Sequence, residues 1–186
     1  MTNGIQISEF TERSAASAAA SELMAEALRS ALEHSAETSL VVSGGSTPQE
    51  CFLNLSQKGL DWSRVTIVPS DERWVEPHNE SSNEHLVRTR LMLGPATAAR
   101  LLSFYLEELE AGEAPEVLSS MLERLPRPFA CTLLGMGEDG HFASLFPGDP
   151  AIDVREGLCA AVSERSYRVG RMSLTASAIL AARKLI

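Results

Sequence analysis

The chain has 186 residues, 44% of them apolar, enough to bury the core of one globular domain. A formal net charge of −9 repels phosphate polymers and anionic lipid surfaces, so neither nucleic acid nor a membrane is an expected partner, and any phosphorylated ligand must be held by a local positive site. The start MTNGIQISEF lacks the basic and apolar segments of a signal peptide, no run reaches the roughly 20 apolar residues of a membrane span, and the expected location is the cytoplasm.

From Thr11 to His34 an alanine-rich segment repeats Leu23, Ala27, Leu28, Ala31 and Leu32 at spacings of three and four, which predicts an amphipathic helix ending at a dipole-matched His34. SLVVSGG then reads as a short strand closed by glycines, and Thr47 is expected to cap a helix with Pro48 at its first position. RVTIVPSDE at 64–72 predicts a strand leaving into a polar loop, and Ser81-x-x-Glu84 a capping box opening a helix through Leu93. Residues 101–106 are read as a strand and 115–125 as a helix. FACTLLGMG is a buried strand with a glycine exit, 158–163 a further strand, and RMSLT with ASAILAARK a last strand and helix. Cys51, Cys131 and Cys159 sit in apolar runs without metal-ligand spacing, the pattern of buried thiols in a reducing compartment.

This alternation predicts an α/β three-layer Rossmann-like domain, a mostly parallel sheet with helices on both faces. Ligands of such sheets bind beyond the carboxyl ends of the strands, which directs attention to three exits. In SGGSTP, Gly44 and Gly45 permit a tight turn, and Ser46, Thr47 and the following helix start offer donors to an oxyanion; an ordinary capped turn is the simpler alternative. In PSDERWVEPHNESSN, Asp71 and Arg73 stand two apart just past a strand; they are either aimed together into the crevice, where Arg73 binds an anion bidentately, or a surface ion pair. Trp74 is read as packing, His78 as solvated and His85 as a surface residue, and Asn83 either faces the site or, in line with asparagine's preference, caps a helix. In LGMGEDGHFASLFPG, Gly135, Gly137 and Gly140 allow an anion nest and place His141 at the crevice mouth as a general base or as a ring bonded to loop carbonyls; Glu138 and Asp139 orient it or face water. No histidine has a partner at metal-ligand spacing, so no metal is expected.

VVSGGSTP, SDERWV with SSN, LGMGEDGHFASLFPG and RMSLT at 171–175 together resemble the 6-phosphogluconolactonases in order and approximate spacing, from the first helix to residue 186. The resemblance implies a glucosamine-6-phosphate deaminase-like fold and hydrolysis of 6-phospho-D-glucono-1,5-lactone to 6-phosphogluconate in the pentose phosphate pathway, without a redox cofactor. It makes His141 the base that activates water and puts Asp71 and Arg73 in the site. Asp71 then orients His141 or a sugar hydroxyl, and Arg73 serves the oxyanion or the phosphate. The Gly44–Thr47 loop contacts the phosphate, with Gly137, Asp139 and Gly140 beside the substrate and Arg171 a further phosphate candidate. Two rivals share the fold: a hexosamine-phosphate deaminase or isomerase, whose F-N-E-P carboxylate is absent from Phe142-Ala143-Ser144-Leu145-Phe146, and a sugar-phosphate sensor, whose DNA-binding helices have no counterpart before the first helix. Members usually continue with another strand and a lysine-bearing segment. The chain is therefore expected to be a single monomeric lactonase domain, residues 1–186, lacking that C-terminal strand–helix unit.

Overall fold

A computed structural model describes residues 4–164 and 169–186. At its centre β1 (Thr38–Val42) pairs in parallel with β2 (Val65–Pro69), which pairs in parallel with β4 (Arg100–Leu101). On its other edge β1 pairs in parallel with β5 (Cys131–Thr132), and residues 184–186 run alongside β5 through Lys184 O, which accepts from Thr132 N at 2.9 Å, and Ile186 O, which accepts from Leu134 N at 2.8 Å. All five residues of β1 and of β2 are buried, as a parallel sheet covered on both faces requires.

The period of two in these strands divides the core. Leu40 and Val42 face one apolar cluster with Val65 and Ile67, whereas Val41 and Val68 face the other. The first cluster is closed by α1 (Arg13–His34), α2 (Gln49–Ser56) and α3 (Asn83–Arg90), through Met24, Leu28, Phe52, Leu55 and Val87. The second is closed by α4 (Ala114–Glu123) and α5 (Ala176–Leu180), through Leu118, Leu122 and Ile179. Helices thus lie on both sides of the parallel sheet, the expected three-layer arrangement.

Several local expectations shift. The buried face of α1 is Ser17, Ser21, Met24, Ala25, Leu28 and Ala31; Leu23 points outward, because the stripe that meets the sheet is turned by about one residue from the one marked by leucines alone. Thr47 does not cap α2: the helix begins at Gln49 with Pro48 at the N-cap and no side-chain cap. The expected strand at 101–106 pairs only through β4. The most consequential difference concerns β3 (Asp71–Arg73), β6 (Cys159–Val162) and β7 (Arg171–Leu174), which form a separate antiparallel sheet in the order β3-β7-β6. The segment 64–72 is therefore two strands: the chain leaves the parallel sheet at Ser70, whose N–H donates to Val42 O at 2.8 Å, and joins the second sheet at Asp71.

His34 closes α1 with its ring nitrogen 2.9 Å from Ser30 O, His78 is exposed beside Glu76, and Trp74 packs on the second cluster with its ring 5.3 Å from that of Tyr105. No helix among the described residues is long and apolar enough to cross a membrane.

The three cysteines are free and buried, and desolvation pushes their thiols up from 9.0, to about 11 for Cys51 and to about 12 for Cys131 and Cys159. A raised folded-state value favours the folded thiol, so this contribution is complete below about pH 9 and is lost as pH rises through the 11 to 12 region. Urea unfolding followed at stepped pH should show stability falling across that window, and a thiol reagent at pH 8 should label none of the three until the chain unfolds.

Candidate active site

Register brings the three exits together. Val42 lies opposite Pro69, and Leu133 N donates to Val41 O at 3.0 Å, so Ser43, Ser70 and Leu134 leave the sheet side by side. Beyond them opens a cavity of about 410 Å³, lined from the three expected segments by Gly44, Gly45 and Thr47, by Asp71 and Arg73, and by Gly137 and His141; Arg171 of β7 lines it too. Its remaining wall is the first half of α1, where Ala16, Ser17 and Ala20 are small enough to leave the space open. Ser46, Asp139 and Gly140 do not line the cavity.

His141 stands at the mouth with its side chain 30% exposed. Its Nδ1 lies 2.5 Å from Asp139 Oδ1, and the same oxygen accepts from His141 N at 3.2 Å. The bond from the His141 ring, reinforced by that backbone N–H, holds the Asp139 carboxyl below the usual carboxylate range. An ionised carboxylate only accepts, so Nδ1 carries a proton, and in the neutral ring Nε2 is the nitrogen left with a lone pair. Phe146 packs against the ring, with centroids 4.5 Å apart. Asp139 therefore orients His141, whereas Glu138 is exposed.

Asp71 does not orient His141. It is 5% exposed and fully engaged elsewhere: Oδ1 accepts from Ser70 Oγ at 2.9 Å, Oδ2 accepts from Ser144 Oγ at 2.6 Å, and Arg171 Nη1 lies 3.8 Å away. Arg73 faces Arg171 directly across the β3–β7 ladder. Like charges placed opposite each other are unfavourable unless an anion lies between them. Arg73 Nη1 donates to the Ser81 carbonyl, and Arg73 Nε is buried without a hydrogen-bond partner.

Two amides of the third loop, where an anion nest is expected, turn inward on the loop itself. Gly137 N donates to His141 O at 2.8 Å and Gly140 N donates to Gly137 O at 3.0 Å. The glycines serve close approach instead: a methyl group on Gly137 would overlap the His141 ring, and one on Gly44 would overlap the Asn83 carboxamide. Positive φ is confined here to Gly45 at 91°, Gly140 at 85°, Gly148 at 74° and, unexpectedly, Ala143 at 50°, in the tight turn where Leu145 N donates to Phe142 O.

Asn83 is not a cap. Ser82 caps α3, accepting from His85 N at 3.1 Å, one position later than the Ser81–Glu84 box predicts. Glu84 is buried and pairs with Arg88 at 2.7 Å instead of closing the box. Asn83 donates through Nδ2 to Asp71 O at 2.8 Å and lines the cavity. What holds it there is Glu72, 1% exposed: Oε1 accepts from Arg73 N and Asn83 N, both at 2.7 Å, and Oε2 accepts from Ser82 Oγ at 2.9 Å and Glu84 N at 2.7 Å. Burial pushes this carboxyl up and the four donors oppose the shift, leaving it raised. Glu72, Ser144, Phe146 and Arg13 were not singled out as site residues in the sequence, and Asn83 was weighed between the site and a helix cap. For Asn83 the signal was the choice of three consecutive capping residues, Ser81-Ser82-Asn83, which propensity cannot rank. Among the described residues no cluster of three or more histidine, cysteine or acidic side chains is placed to hold a metal.

The parallel sheet covered by helices on both faces, the second antiparallel sheet and the cavity at the strand ends define an α/β domain with a strand-end ligand site. Residues 11–186 match the model of the glucosamine-6-phosphate isomerases/6-phosphogluconolactonase family, and the chain belongs to that family. It is 45% identical over 127 residues to a 6-phosphogluconolactonase of Pseudomonas aeruginosa, covering 68% of this chain and 53% of that relative. It is 32% identical to one of Pseudomonas putida, covering 96% of this chain and 75% of the relative. A crystal structure of a 6-phosphogluconolactonase from Shewanella baltica superposes with a TM-score of 0.93 at 36% identity, over 100% of this chain and 81% of that one. A monomeric glucosamine-6-phosphate deaminase shares the fold, with a TM-score of 0.73 at 17% identity, over 97% of this chain and 80% of that one. The chain thus spans between about half and four fifths of the lengths of these proteins.

Two substitutions test how the site is held. Glu72→Gln turns an amide N–H₂ toward backbone and hydroxyl donors, and urea titration should show unfolding free energy lower by about 1–3 kcal/mol. Gly137→Ala displaces the imidazole, and the His141 ring resonances should lose the signature of the Asp139 hydrogen bond in NMR spectra while the fold is kept.

Proposed function

We propose that the chain hydrolyses 6-phospho-D-glucono-1,5-lactone to 6-phosphogluconate, with His141 as general base. The observation that carries this reading is the pairing of His141 Nδ1 with Asp139, which leaves Nε2 as a base in the cavity that also holds Arg73 and Arg171. Nε2 takes a proton from water as the water oxygen attacks the lactone carbonyl carbon. The carbonyl oxygen becomes an oxyanion, the bond from that carbon to the ring oxygen breaks, and the imidazolium returns the proton to the departing oxygen. No electrons leave the substrate, so the step needs no redox cofactor. The Arg73–Arg171 pair supplies the positive field for the phosphate and the oxyanion in a chain that is otherwise strongly acidic.

The names of the Pseudomonas relatives and of the Shewanella structure support this substrate. A hexosamine-phosphate deaminase is less well supported, because residues 142–146 carry no acid to shuttle protons after His141. Asp71 has a supporting part: clamped by Ser70, Ser144 and Asn83, it fixes the floor of the site and faces Arg171. General-base assistance of this kind is typically worth 10² to 10⁴-fold. Following lactone loss by NMR, corrected for the uncatalysed reaction, His141→Ala should lose activity by about that factor, and equal rates for variant and wild type would remove His141 from the mechanism.

A further inference from the structure

We propose that Arg13, on the first turn of α1 and outside every motif considered above, is a phosphate-binding residue of this site. This rests on the sugar-phosphate reading just given and extends it. Arg13 lines the same cavity as His141, Arg73 and Arg171, and its Nη2 reaches 33 positions along the chain to donate to Ser46 O at 2.6 Å. That single bond engages one of five guanidinium N–H groups, and the others are available at the cavity edge beside Thr47.

Charge separates the three cavity arginines. Arg171 has the Asp71 carboxylate at 3.8 Å, whereas neither Arg13 nor Arg73 has a carboxylate within 4 Å among the described residues. Most other ion-paired arginines of this acidic chain, such as Arg29 with Glu22 and Arg100 with Glu37, lie on the surface. A guanidinium tethered by a backbone carbonyl keeps its full positive charge, because the tether is neutral. Ala16 and Ser17, next on the same helix wall, line the cavity with small side chains. The geometry therefore offers a phosphate monoester a second fork in the cavity that Arg73 also lines, and Arg13 holds Ser46 as well, so the loop and the fork are positioned together.

A brace for the loop and a clamp for the phosphate make different predictions. In Arg13→Met the ratio of kcat/KM for the 6-phosphorylated lactone to that for unphosphorylated glucono-1,5-lactone should fall about 10 to 100-fold, chiefly through KM, as expected for a lost charge-assisted bond. Arg13→Lys, which keeps the charge, should recover part of it. Calorimetric titration with inorganic phosphate should show binding to wild type and at least about tenfold weaker binding to Arg13→Met, a readout that needs no turnover. Equal losses with both lactones, an unchanged ratio, or phosphate binding that does not differ between wild type and variant would each overturn the proposal. Phosphate binding that depends on Arg13 in a protein without lactone turnover would sustain the anion site and sink the lactonase reading instead.

Discussion

The parallel register of β1, β2 and β5 is the constraint on which the site depends. Each strand is short, yet the hydrogen bonds from Ser70 N to Val42 O and from Leu133 N to Val41 O align their carboxyl ends to within one residue. A slip of one position in β2 would invert its side chains, bury Thr66 where Ile67 belongs and turn Asp71 away from the crevice. The apolar partition of the two cores therefore enforces the same alignment that gathers the cavity-lining segments. Packing and function are coupled through the strand period.

Around that alignment the structure uses buried carboxylates as joints. Glu72 ties β3 to the start of α3 and Asp71 ties the same strand to Ser144 in the histidine loop, so the second and third exits are braced to each other through two adjacent acids of one short strand. Four hydrogen bonds onto Glu72 offset part of a desolvation cost that still leaves its carboxyl raised. The outward-facing Asp139 has the opposite setting: solvated, ionised and spent on one imidazole. Three acids within the site region thus have three different tasks, divided by burial and by which donors each meets.

The glycines of the histidine loop illustrate why spacing in sequence is an incomplete guide. Their number suggested a cradle of free amides, yet the amides of Gly137 and Gly140 are bonded within the loop, and the absence of a side chain matters at Gly137 because the imidazole lies against it. Positive charge for an anion comes from side chains: Arg73 and Arg171 meet through an antiparallel ladder joining segments almost a hundred residues apart, and Arg13 arrives from the first helix.

The sequence by itself determined the α/β alternation, the three polar exits from strands and the histidine with its glycines, because these are local: strand period, turn chemistry and residue type are legible within ten residues. It also held the acidic balance, against which any anionic ligand needs a local cationic site. Only the tertiary structure decided that Asp139 and not Asp71 orients His141, that Asn83 lines the cavity while Ser82 caps the helix, and that the strands at 159–162 and 171–174 form a second, antiparallel sheet with Asp71–Arg73. Those outcomes turn on which donors and acceptors meet across long stretches of chain, and neighbouring capping residues or nearby carboxylates are equivalent until the fold brings their partners into reach.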